Sequence, residues 1–169
     1  MPNEVKLVIP TIEHKQQAIE YKQEHYDNGE DILNGGSRFH CYESYEEWLV
    51  FIENLRNGKE PNWFPANTYF GMCNDKIVGM IDILHEIDDG HREHIGCGIR
   101  PSERKKGYAT KMLALALEEC KKLKLKKIFI CCDEDSIGSV KTILNNGGIL
   151  EKKFFDSEGV LCHSYFVDI

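Results

Sequence analysis

Between Ile95 and Lys122 the chain reads IGCGIRPSERKKGYATKMLALALEECKK: a short strand, a turn opened by Pro101, a basic loop and an amphipathic helix starting at Gly107 or just before it. Arg104, Lys105 and Lys106 precede the glycine, and Tyr108, Ala109 and Thr110 follow it. This order of residue types suits the seating of an anion. The first N–H groups of a helix have no partner within it and lie at the positive end of its dipole, so a phosphate is stabilised there. Loop amides can curl into a nest around a diphosphate, and a glycine lets the anion reach the backbone. The plainer alternative is a surface loop with ordinary charges ahead of a core helix. A second chemistry is suggested by His85 to His94, where three histidines and four carboxylates within ten residues could take up a divalent metal. That spacing fits no familiar zinc motif, and carboxylates on a loop usually serve solubility.

The elements that must position the loop can be read in order. Val5 to Ile9 suggests a first strand, and Thr11 a cap for a helix whose thin apolar stripe is Ile12, Ile19 and Tyr26. Asp31 to Tyr42, with Gly35-Gly36, reads as a loop. Ser44 to Glu47 has capping-box spacing, with Trp48, Leu49, Phe51, Ile52 and Leu55 as the buried face of a second helix that stops at Asn57-Gly58. Thr68 to Cys73 and Lys76 to Leu84 form a hairpin about Asn74-Asp75. Glu93 to Ile99 is the central strand. The helix after it carries Ala109, Met112, Leu113, Ala116, Leu117 and Cys120 on one face. Lys126 to Cys132 is a strand, Ser136 to Leu144 a helix with Ile137, Val140 and Leu144 inward, and Leu150 to Val167 a last hairpin. The sum is an α/β (α+β) fold, a mixed, mainly antiparallel sheet flanked by helices with one parallel strand-helix-strand crossover at the basic loop.

Arg104 to Ala109 match the [Q/R]-x-x-G-x-[G/A] acyl-CoA signature, and the chain resembles the GNAT superfamily of N-acyltransferases. Pro65 to Phe70, Val78-Gly79, His94 to Ala109, Cys132-Asp133 and Asn146 to Gly148 extend the resemblance over about two thirds of the chain, toward a bacterial subfamily whose substrates are largely unassigned. It implies that acetyl-CoA, as cosubstrate, lies between the central strand and the strand ending at Cys132, which splay apart. Arg104, Lys105, Lys106, Gly107, Tyr108, Ala109 and Thr110 would take the diphosphate. Gly96 and Gly98 would admit the pantetheine arm, a backbone N–H near Cys97, Gly98 or Ile99 would polarise the thioester carbonyl, and Ser136 would contact the arm where an Asn is usual. Glu93 stands where some members keep a carboxylate base, and it shares strand parity with Cys97 and Ile99. The acid tyrosine of many members is replaced by Ile143. Cys97 within a strand reads as inert core rather than as a nucleophile.

Composition sets the outer bounds. The 169 residues suit one domain spanning 1–169. A net charge of −7 argues against nucleic acid or an anionic membrane as partner, although nine Lys or Arg between Arg104 and Lys127 leave a local basic patch. The seven cysteines are odd in number with no C-x-x-C pair, which points to reduced thiols. With no membrane-length apolar run and no signal-peptide layout, the expected location is the cytoplasm. The expected activity is acetyl transfer from acetyl-CoA to a small amine or peptide amine in a ternary complex. A non-catalytic acyl-CoA-binding module and the metal-binding loop are the alternatives. The terminal hairpin offers an edge for homodimer pairing.

Overall fold

The computed structural model describes residues 4–88 and 93–169. Two antiparallel sheets meet at one seam. The first has strand order β1-β2-β3-β4, with β1 Lys6–Val8, β2 Ala66–Cys73, β3 Lys76–Leu84 and β4 Ile95–Ile99. The second has order β5-β7-β6, with β5 Lys127–Asp133, β6 Ile149–Phe155 and β7 Leu161–Asp168. The expected mixed sheet is therefore realised as two antiparallel halves. The crossover from β4 through helix α3, Tyr108–Lys122, brings β5 beside β4 without a ladder between them, and a bond from His94 N–H to Phe129 O at 2.7 Å links the two. Because the strands part beyond that bond, space opens between their backbones.

Helix α3 packs Met112, Leu113, Ala116, Leu117 and Cys120 against Ile81, Ile83, Ile95, Ile128 and Ile130, the face its periodicity predicts. A second core lies on the opposite face of the first sheet under helices α1, Lys15–Asp27, and α2, Tyr45–Arg56. Ser44 caps α2, its Oγ accepting from Glu47 N–H at 3.2 Å. Trp48, Phe51, Ile52 and Leu55 are buried as expected, together with Tyr45, while Leu49 is only half-buried. Where the chain turns between β2 and β3, Asn74 and Asp75 both take positive φ, 51° and 62°, as a two-residue hairpin of this twist requires. Asp75→Gly removes the Cβ cost at the second position and should raise stability by about 0.5 kcal/mol, seen as a small rise in thermal midpoint.

Two helices bury other faces than their spacing suggests. On α1 the inward residues are Ala18, Tyr21 and His25, while Ile12, Ile19 and Tyr26 stand in solvent. Thr11 leads into a 3-10 turn, Ile12–His14, rather than directly into α1. On α4, Ile137–Asn145, Ile143 is buried and Val140 packs against the core, whereas Ile137 and Leu144 are exposed. In both, polar tertiary partners or the short helix length outweigh a weak apolar stripe. Among the described residues no helix is long and apolar enough to cross a membrane.

Candidate active site

The seam between β4 and β5 opens into a cleft of about 1530 Å³, walled by β4, β5, the start of α3, α4 and the β6–β7 hairpin. At one part of its wall lies the basic loop. Gly107 has φ 85°, and a Cβ built there would meet nothing within 4 Å. The residue thus combines a left-handed conformation with an open approach, the two conditions that favour glycine at an anion seat. Lys111 N–H to Gly107 O at 3.3 Å begins the helical ladder, so the N–H groups of Tyr108, Ala109 and Thr110 lie outside it. Lys105, also left-handed at φ 64°, lines the cleft.

The flanking cations divide. Lys105 makes no ion pair among the described residues. Arg104 lines the cleft, but its guanidinium grips Glu30 in a bidentate pair at 2.6 and 2.8 Å. Lys106 is not part of the wall and bonds Glu103 at 3.0 Å. Of the three charges expected to face a phosphate, only Lys105 is placed without a competing carboxylate. The Tyr108 side chain is buried, its hydroxyl 3.5 Å from Cys73 Sγ, so only its backbone reaches the seat. Ser136 precedes α4 on the cleft wall, with Oγ donating to Ser139 Oγ at 2.8 Å.

The register of β4 decides which backbone groups face the seam. Leu84 N–H to His94 O at 2.7 Å and Arg100 N–H to Val78 O at 2.8 Å, with the strand register, make Gly96, Gly98 and Arg100 the residues whose amides face β3, while His94 just before the strand turns its N–H to β5. The amides of Cys97 and Ile99 therefore point toward β5, while that of Gly98 belongs to β3. Ile99 O takes Arg104 Nε at 3.1 Å. The spaces beside Gly96 and Gly98 are filled by the chain itself. A Cβ at Gly98 would come 2.5 Å from Asn34 O, and one at Gly96 would come 2.7 Å from Asp82 Oδ1. On that face the two glycines let Asn34 and Gly35, of the segment between α1 and α2, and the Asp82 side chain approach closely, while both also line the cleft.

Glu93 lies on the cleft wall just before β4, and its Oε2 accepts from Cys131 N–H at 3.1 Å. Burial pushes its carboxyl up to about 7; the Cys131 N–H opposes that rise, and the nearby Asp82 charge reinforces it. A carboxylate titrating there can take a proton near neutral pH. Cys97 faces the same cleft, yet burial first and then Asp82 raise its thiol to about 12, so it stays protonated and is no nucleophile. His94 is buried and stacks on Phe129, accepting from Phe129 N–H at Nδ1 (3.0 Å), and His85 Nε2 lies 2.9 Å from Asn67 Oδ1. Both rings are engaged by neighbours within the chain. The carboxylate and histidine cluster proposed for metal binding includes Asp89 and His91, which lie outside the described residues. Ile143, which the resemblance aligns with the acid tyrosine, is a buried apolar residue.

Within the expected loop from Asp31 to Tyr42, the residues from Asn34 to Ser37 lie on the sheet beside the cleft. Gly35 takes φ 76°, and a Cβ there would come 2.5 Å from Met80 O and 2.8 Å from Gly96 O, so only glycine lets this loop lie on the sheet. Ser37 N–H and Oγ bond Asp82 Oδ2 at 3.0 and 3.1 Å, and Trp48 Nε1 donates to Gly36 O at 3.0 Å. The available signal was the Gly35-Gly36 pair. Asp82 is kept above the usual carboxylate range by burial, with the Ser37 and Gly96 bonds opposing it. Phe154, Asp156 and Cys162 of the β6–β7 hairpin also line the cleft, as a consequence of pairing that leaves no local pattern.

Antiparallel sheets that part beside a glycine-bearing loop and helix, flanked by four helices, match the GNAT fold. The chain belongs to the GNAT acetyltransferase family, whose model, described as Acetyltransferase (GNAT) family, matches residues 36–145; the family's cosubstrate is acetyl-CoA. No curated protein matches the chain. Among solved structures, the microcin self-immunity acetyltransferase MccE, in complex with acetyl-CoA and AMP, is similar over 98% of this chain and 93% of that one, with a TM-score of 0.71 at 20% identity. RimL, a ribosomal alpha-N-protein acetyltransferase in complex with coenzyme A, has a TM-score of 0.73 at 16% identity, covering 98% and 94% of the two chains. RimJ of Mycobacterium smegmatis, in complex with CoA-disulfide, has a TM-score of 0.74 at 16% identity over 97% and 81%. At such identities the likeness is one of fold.

Proposed function

We propose that this chain transfers an acetyl group from acetyl-CoA to a primary amine by direct attack in a ternary complex, with Glu93 as the general base. The observation carrying this reading is that one cleft holds a helix start at Gly107 whose first amides lie outside the helical ladder, the outward amides of Cys97 and Ile99, and a carboxyl raised to about 7. The open space at Gly107 and the amides of residues 108 to 110 fit a diphosphate. Bound acetyl-CoA supplies an activated thioester. The chain's own part is to hold the diphosphate at the start of α3, with Lys105 beside it, and to offer the Cys97 or Ile99 N–H to a developing oxyanion. Glu93 takes a proton from the acceptor ammonium, directly or through an ordered water. With Ile143 in place of an acid, the thiolate leaves to be protonated by water. The similarity of fold to RimL, an alpha-N-protein acetyltransferase, supports an amine acceptor such as a peptide N-terminus, with a small amine as the other acceptor class.

Isothermal titration with acetyl-CoA, followed by thiol-release assays over small amines and peptides with free N-termini, tests the proposal. Binding together with amine-dependent thiol release is the expected result. Binding without release from any amine would leave a non-catalytic module, and no binding at all would end the acetyltransferase reading.

A further inference from the structure

Arg104, the first residue of the basic loop motif, spends its hydrogen bonds within the protein. Nη1 and Nη2 donate to Glu30 Oε2 and Oε1 at 2.8 and 2.6 Å, and Nε donates to Ile99 O at 3.1 Å. Glu30 follows the end of α1 and is itself fixed, with its N–H on His25 O at 2.9 Å and its Oε1 3.0 Å from the buried His25 ring. Six residues earlier, in the last turn of α1, Glu24 accepts from Arg100 Nε at 3.1 Å and from Ser102 N–H at 3.0 Å. Tyr21 completes the set, its hydroxyl donating to Gly98 O at 3.3 Å. Side chains of α1 and of the turn that follows it thus grip the chain from the last residues of β4 to the first residue of the motif.

We infer that Glu24 and Glu30 are positioning residues that hold the segment from Arg100 to Arg104, and through it the anion seat, so that Arg104 serves coenzyme binding by its grip on Glu30 and not as a phosphate ligand. The inference rests on the acetyltransferase reading above. Its physical basis is preorganisation. Lys105 and Gly107 are both left-handed, and a side-chain-bearing residue adopts that conformation only when its surroundings hold it. A bidentate guanidinium-carboxylate pair fixes orientation as well as distance. Amides already converged bind an anion without the entropy cost of ordering them. The Arg104 hydrogen bonds, working against burial, hold the Glu30 carboxyl at about 2, so the pair is charged throughout the neutral range.

The test compares Glu30→Gln, Arg104→Gln and the double variant with the wild-type chain. Calorimetry with CoA should show each single variant binding about tenfold more weakly, and the double no weaker than either, because one interaction is lost in all three. For Glu30→Gln the KM for acetyl-CoA should rise by that factor with kcat unchanged, a split that general loss of structure would not produce. Hydrogen exchange on the coenzyme-free protein should show faster exchange from Lys105 to Thr110 in Glu30→Gln, with β2 and β3 unaltered. Glu24→Gln gives a second, independent reading of the same exchange if Glu30→Gln does not fold. CoA binding by Glu30→Gln that matches or exceeds wild type would overturn the inference, because it would mean that Glu30 holds back an arginine meant for the phosphate. Unaltered exchange in the loop would overturn it as well. Wild-type protein that binds no CoA would remove the acetyltransferase reading instead, and the exchange experiment would still decide whether α1 holds the loop.

Discussion

Glu93→Gln is expected to lower kcat about 100-fold while the dissociation constant for acetyl-CoA stays at its wild-type value, a size typical of losing a positioned general base. Gln keeps the shape of the side chain and can still accept from Cys131 N–H, the bond Glu93 makes at 3.1 Å. What it loses is basicity. For the wild-type chain, kcat/KM should rise with pH through about 7, the value to which burial raises the carboxyl, and then level off; the variant should lack that limb. Stability has the opposite sign. A carboxyl whose pKa is raised on folding favours the folded state at low pH, so its contribution is fully present below about 4.5 and is lost as pH rises through about 7. Denaturant unfolding at pH 5 and pH 8 should therefore show wild-type protein losing stability relative to Glu93→Gln over that interval. Wild-type turnover in Glu93→Gln would remove Glu93 from the mechanism, and water or another group would have to take its place.

Gly107→Asp is expected to weaken CoA binding by about 100-fold or more, from a carboxylate placed about 4 Å from a diphosphate at a partly exposed site. The variant separates binding from folding with unusual clarity. Aspartate tolerates left-handed φ better than most side chains, and nothing lies within 4 Å of the added Cβ, so the loop keeps its conformation at small cost. A negative charge at the start of α3 also complements the helix dipole, so thermal stability should hold while binding collapses. Gly107→Asn, of equal size without the charge, should retain much more affinity. Equal losses in the two variants would show that bulk rather than charge governs the seat.

How much of this could be read without coordinates differs from element to element. The β2–β3 turn, the Ser44 cap and the inward face of α3 were all visible, because each depends on residues within four positions of one another. The helix start proposed to seat an anion was legible for the same reason: a helix start, a glycine and neighbouring amides are local. The inward face of α1 was not. Tyr21 and His25 turn inward to meet a strand end and a loop carboxylate, and a stripe of Ile12, Ile19 and Tyr26 is too thin to compete. The same limit concealed the partner of Arg104. Its carboxylate lies 74 residues away in sequence, and nothing in the spacing of either residue marks the pair.

By itself, then, the order of residues determined the secondary elements, the site of the basic loop and the family to which that loop points, because steric limits, capping and periodicity act over a few neighbouring positions. The tertiary structure alone decided which strands part, which amides of β4 face the opening, that Gly96 and Gly98 accommodate the protein's own loop, and that burial places the Glu93 carboxyl near neutrality. Each of those outcomes depends on solvent exclusion and on contacts between segments distant in sequence, and such contacts exist only once the two sheets have met.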